Sequence, residues 1–193
     1  MNFPEISTDR VFSQIPKGSV EAMTDFMWSD ALWNQGNCRI DLKRKIGAGF
    51  VDVLLRYYNE LGDKYIWILG EYKQTFNQEL QAVTQLLMYL GNFFYDTNIE
   101  GIDNLANIFV ASSEHFRLIN REKLFGIMEK FEYIWRKHFR VSPSSAYDEP
   151  EIREFIQQHS NELLEDSLLV KRSENNVRLD ELIKSIYKEW NLQ

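Results

Sequence analysis

Cysteine is almost missing from this chain: Cys38 is the only one in 193 residues. That excludes an internal disulfide framework and a cysteine-based zinc site, and it makes a reducing, cytoplasmic setting the expectation. Proline and glycine are also sparse, at four and nine, too few for a collagen-like or low-complexity chain. No apolar run approaches the roughly 18 residues of a membrane span, so no membrane partner is expected. The opening Met1-Asn2-Phe3-Pro4-Glu5 lacks a basic segment followed by an apolar run, so no signal peptide is expected. Positive charge is in deficit as well: 22 Lys and Arg against 29 Asp and Glu give a net charge of −7. That argues against binding nucleic acid by charge alone, which relies on Lys and Arg replacing counterions. What is present is 44% hydrophobic and 14% aromatic residues, enough for one full core.

Ser19–Trp33 reads as a helix with Val20, Met23, Phe26 and Met27 along one side. Cys38–Lys45 alternates apolar and polar residues, as a half-exposed strand does. Gly47-Ala48-Gly49 makes a turn into a second strand, Phe50–Tyr58, and Gly62-Asp63 marks the next turn. Tyr65–Leu69 is apolar at every position, which suits a central strand covered on both faces. A helix follows over Thr75–Tyr95, then an apolar strand over Leu105–Ala111, with Ser113–Ile119 continuing it or adding a short strand. Asn120 fits the N-cap of a helix reaching about Phe139. Ser142–Pro150 is the best boundary candidate, and helices are expected over Glu151–Leu169 and Leu179–Trp190, with polar Lys171–Asn176 between them. This order implies an α/β architecture, with an antiparallel meander and a crossover helix leading to a strand that can lie parallel.

The second and third strands carry the sharpest chemical signal. A turn centred between Leu61 and Gly62 places Tyr58 opposite Tyr65 and Asp52 opposite Glu71. Directly opposed residues share a face, and strand alternation puts Lys73 there with Glu71. Two opposed carboxylates repel unless a proton or cation lies between them. Mg²⁺ suits such a site, since it takes carboxylate oxygens, keeps several waters and completes its shell with phosphate oxygens. Lys73 could then orient a water and stabilise charge on phosphoryl oxygens, so the inferred reaction is phosphodiester hydrolysis.

On the crossover helix, Gln78, Gln81, Gln85 and Tyr89 share one side, opposite an apolar stripe that includes Leu80, Val83, Leu87 and Leu90. Neutral amides and a hydroxyl suit hydrogen bonding to a base or phosphate without adding charge, and Gln74 could join them.

This arrangement resembles the PD-(D/E)xK nuclease superfamily over roughly residues 19–111. Gly49-Phe50-Val51-Asp52 sits where the family has its motif aspartate, with Val51 in place of the eponymous proline. Ile68-Leu69-Gly70-Glu71-Tyr72-Lys73 looks like the apolar strand ending in Glu-x-Lys. Gln85-Leu86-Leu87-Met88-Tyr89 resembles the Gln-xxx-Tyr motif of RecB-like and type I-like restriction nuclease domains. The resemblance implies a restriction-endonuclease-like mixed sheet flanked by helices, with a nuclease-like domain over 1–141 and a helical C-terminal extension over 142–193. It implies that Asp52 and Glu71 ligate Mg²⁺, or Mn²⁺ in its place. The backbone carbonyl of Tyr72 and Glu21 of the first helix are further candidate ligands. Lys73 would act on the water, and Gln85 and Tyr89, with Gln74 and Gln78 nearby, would position nucleic acid. The expected function is a metal-dependent nuclease acting on DNA in a restriction, defence or repair system. Additional domains, partner subunits or a second copy in a homodimer are expected to supply target recognition. The alternative is a catalytically inactive nuclease-fold module for nucleic-acid binding or protein assembly. A further rival is an adaptor whose Leu163, Leu164, Leu168 and Leu169 form a partner-facing helix.

Overall fold

The computed structural model describes residues 1–96, 102–174 and 176–192. Asn175, in the polar stretch expected between the last two helices, lies outside them. One sheet of six strands organises the molecule: β1 (Asn37–Ile46), β2 (Gly49–Tyr58), β3 (Tyr65–Tyr72), β4 (Leu105–Ala111), β5 (His115–Asn120) and β6 (Leu168–Lys171), side by side in that order. The β3–β4 pair is parallel and every other pair antiparallel. The architecture is therefore α/β with a mixed, helix-flanked sheet.

The β2–β3 register is the one the turn at Gly62 implies, running from Tyr58 opposite Tyr65 to Val53 opposite Gly70. Gly62 has φ 76°, a left-handed turn conformation that glycine takes at little cost. The central strands are apolar because both faces are covered. On one face, Leu54, Leu69 and Ile108 pack against α3 (Glu79–Tyr95), α4 (Arg121–Lys130), α5 (Glu132–His138) and α6 (Pro150–Leu164). On the other, Val53, Ile68 and Phe109 pack against α1 (Thr8–Gln14), α2 (Glu21–Trp33) and α7 (Leu179–Glu189). The edge strand β1 carries the charges of Arg39, Lys43, Arg44 and Lys45, a common guard against edge pairing. Among the described residues no helix is long and apolar enough to cross a membrane.

Three sequence expectations change. The helix from Asn120 breaks at Phe131, so Arg121–Lys130 and Glu132–His138 are separate helices, although Asn120 does cap the first by accepting from the Lys123 amide at 3.0 Å. The helix expected to reach Leu169 stops at Leu164. Leu168–Lys171 instead pairs with β5 as the sixth strand, so the C-terminal region is not all helix. Leu163 is core and Leu168 and Leu169 are in the sheet, which removes the leucine face of the adaptor reading. The physical reason is that the outer edge of β5 offers backbone partners to any extended segment beside it. Finally, Pro143–Asp148, within the expected boundary, is a 3-10 helix whose Ala146 is buried in the α3-side core.

Candidate active site

The ladder between β2 and β3 ends at Val53 and Gly70, and the residues just beyond it bond through side chains. The Asp52 amide donates to Glu71 Oε1 at 3.3 Å, and the Tyr72 amide donates to Asp52 Oδ2 at 2.8 Å. Each carboxylate thus reaches across the gap where the strands part, and the two meet there. Gly70 permits this close packing, because a Cβ at that position would run into the ring of Phe109 on β4. Lys73 lies just past the end of β3, tied by its amide to the Ala111 carbonyl at 3.0 Å. Its Nζ donates to Glu71 Oε2 at 3.4 Å. Asp52, Glu71 and Lys73 are all buried.

Burial, followed by the charge of Asp52, holds the Glu71 carboxyl well above the usual carboxylate range, against the opposing pull of Lys73. A third carboxylate joins from α2, and it is Asp25. Its Oδ2 lies 3.9 Å from Lys43 Nζ, and burial and then Asp52 push its carboxyl up to about 7. Glu21 lies one helical turn earlier and acts on the site only through its charge on Asp25. The sequence reading missed Asp25 because it followed the apolar side of α2. The side that packs inward carries Thr24, Trp28, Ser29 and Leu32, and Asp25 borders it.

Lys43 was also missed as a site residue, although the β1–β2 register puts it directly across from Asp52. It bonds Asp52 Oδ1 and stands at φ 50°, a left-handed conformation uncommon for a residue with a side chain. The turn at Gly47-Ala48 was the available signal, since it fixes which β1 residue opposes Asp52.

The glutamine stripe divides. Gln78 closes a capping box, its Oε1 accepting from the Thr75 amide at 3.3 Å, and Gln74 is exposed. Gln81 is partly exposed, whereas Gln85 and Tyr89 are buried, not part of an open helix face. The Tyr89 hydroxyl donates to the Phe50 carbonyl at 2.7 Å and so anchors the start of β2 next to Asp52. Burial, then the charges of Glu71 and Asp52, raise its phenol. The Tyr72 ring is turned into the core, where its hydroxyl is 2.7 Å from Ser29 Oγ. In a trans peptide the carbonyl points opposite the next amide. Since the Lys73 amide faces β4, the Tyr72 carbonyl faces the β2 side, where Asp52 lies.

Among the described residues no group of three or more His, Cys, Asp or Glu side chains forms a ready metal cage. The donor set nevertheless fits a hard divalent cation: two facing carboxylates, an inward carbonyl, and a buried Asp25 Oδ1 and Gln85 Oε1 that find no hydrogen-bond partner. Other reactive groups are structural. Ser112, His115 and Glu79 line up, with Ser112 Oγ 2.7 Å from His115 Nδ1 and His115 Nε2 3.2 Å from Glu79 Oε1. However, Ser112 and His115 are 0% exposed, so no substrate reaches them. Burial pushes the Cys38 thiol up to about 12, which leaves it a poor nucleophile. Comparison with family models, curated proteins and solved structures returned no match.

Proposed function

We propose that the protein is a Mg²⁺-dependent nuclease that hydrolyses phosphodiester bonds in DNA, on a restriction-endonuclease-like fold. One observation carries this reading: the buried carboxylates of Asp52 and Glu71 converge past the end of the β2–β3 ladder with the Lys73 amine beside them. A structural salt bridge would not need a second buried acid there. Asp52, Glu71 and the Tyr72 carbonyl would hold the cation, and Mn²⁺ could replace it. Asp25 takes the place first given to Glu21. The bound ion would supply Lewis-acid polarisation of the phosphate and a lowered pKa for a coordinated water.

The chain's own side chains do the rest. Lys73, fixed by its amide to β4 and its amine to Glu71, can donate a hydrogen bond to the attacking water or to a phosphoryl oxygen as charge builds. Tyr89 fixes the start of β2, and Gln85 presents a free buried acceptor one turn earlier on the same helix face. The acidic net charge suits a module whose target recognition comes from additional domains, partner subunits or a second copy, in a restriction, defence or repair system.

Cleavage of plasmid and single-stranded DNA, in Mg²⁺ and in EDTA, tests the proposal. Wild type should cut only with the metal, and Lys73→Ala should lower the rate by about 10²–10³-fold, the usual cost of losing a transition-state donor. Circular dichroism should show the fold unchanged. If equally pure preparations cut equally, Lys73 has no catalytic role. A wild type that binds DNA without cutting it would instead favour the inactive nuclease-fold module.

A further inference from the structure

The helix α2 turns large apolar side chains toward solvent. Phe26 is 66% exposed and Trp33 49%, and with Leu42 of β1 they border a cleft of about 390 Å³. Scattered exposed apolar residues need no explanation, but aromatics gathered around a cleft do. The inner wall of this cleft is Asp25, Lys43 and Asp52, so it opens directly onto the proposed catalytic acids. Next along the edge strand, Arg44 and Lys45 are exposed and form no ion pair among the described residues.

Resting on the nuclease reading above, we propose that this cleft seats an unpaired nucleotide, so that the substrate is single-stranded or locally unwound DNA. An unpaired base offers two free π-faces for Phe26 and Trp33. Its exocyclic amine can donate to Asp25 Oδ1, which is buried and has no partner within the protein. The flanking phosphates meet Arg44 and Lys45 on the rim, away from the acids. Aromatic platforms beside a cationic track are the usual equipment for binding single strands. A duplex keeps its base faces in the stack, where the rings cannot reach them. The core of a protein interface is depleted of charge, and this wall of two aspartates and a lysine is a poor fit to that.

The test measures equilibrium binding of a labelled single-stranded 15-mer and of its duplex by anisotropy. It uses the full chain in Mg²⁺ on a Lys73→Ala background, which keeps the strands intact. The single strand should bind at least about tenfold tighter than the duplex, and Phe26→Ala/Trp33→Ala should remove about tenfold or more of that affinity, the loss typical of one stacked base. Arg44→Gln/Lys45→Gln should weaken binding and lower the salt slope by about 0.7 per cation removed. Equal affinity for the two forms, or an aromatic variant that binds like its parent, would overturn the inference. So would a dimer in sedimentation that the aromatic substitutions split, since that assigns the face to a second copy. Wild-type cleavage run alongside keeps the two readings apart. Metal-dependent cutting of duplex as fast as single strand overturns this inference alone, whereas cutting of neither overturns the nuclease reading and leaves the binding result to judge the cleft.

Discussion

At the scale of single residues, Gly70 and Lys43 show how closely the backbone is fitted around the acids. Gly70 is the last β3 residue in the ladder to β2, with the fully buried Phe109 ring against its α-carbon. Gly70→Ala is expected to overpack this contact and cost about 1–3 kcal/mol, read as a lower midpoint in urea denaturation. An unchanged midpoint would mean that Phe109 has room to move. Lys43 keeps a left-handed backbone in an otherwise extended strand while its amine bonds Asp52. Local strain of this kind persists where surrounding contacts over-determine it, and it tends to collect at functional sites.

At the scale of elements, what matters is how α3 is pinned, since α3 carries Gln85 and Tyr89. Its first residue, Glu79, receives Arg117 Nε of β5 at 2.7 Å and Nη2 at 3.3 Å, all buried. Burial alone would raise the Glu79 carboxyl, but His115 and Arg117 outweigh it and leave the group below its usual value. Arg117→Met strands a buried carboxylate, so it should cost about 3–5 kcal/mol in chemical denaturation, whereas Glu79→Leu/Arg117→Met should regain most of that loss. If the double variant is as unstable as the single one, the pair does not act as a unit. Elements were unevenly legible in the sequence. The β2–β3 register followed from alternation and the Gly62-Asp63 turn, because a strand's side-chain period leaves little freedom once a turn is placed. The inward side of α2 did not follow, because Met23 and Phe26 look like core by composition while Thr24 and Ser29 look like surface. The four-residue strand β6 was hidden by the helical pattern before it.

For the whole molecule, the buried acids set how stability responds to pH. The Asp25 carboxyl rises to about 7 and that of Glu71 well above its usual range, in both cases through burial first and Asp52 second. A carboxyl with a higher pKa in the folded state keeps its proton after the unfolded chain has released it. From the ordinary carboxylate range up to about pH 7 the unfolded state therefore binds fewer protons, and stability falls as pH rises. Glu79 shifts the other way and is ionised in both states over this window. In EDTA the melting temperature should fall between pH 5 and pH 8, and Asp25→Asn should flatten that slope. Mg²⁺ should restore more at pH 8 than at pH 5, because a cation replaces the proton only once the carboxylates are ionised. A metal-free melting curve that is flat or rises with pH would contradict this account.

The sequence by itself determined the strand–turn–strand register, the alternation that brings Asp52 and Glu71 opposite each other, and the placement of Lys73 beside them. These are local consequences of a two-residue side-chain period and of glycine-bearing turns. Only the tertiary structure decided that Asp25 and Lys43 complete the cluster, that Gln85 and Tyr89 are enclosed, and that Phe26 and Trp33 border an open cleft. Those outcomes depend on which face of each helix meets the sheet, and packing across distant parts of the chain settles that where hydrophobic periodicity cannot.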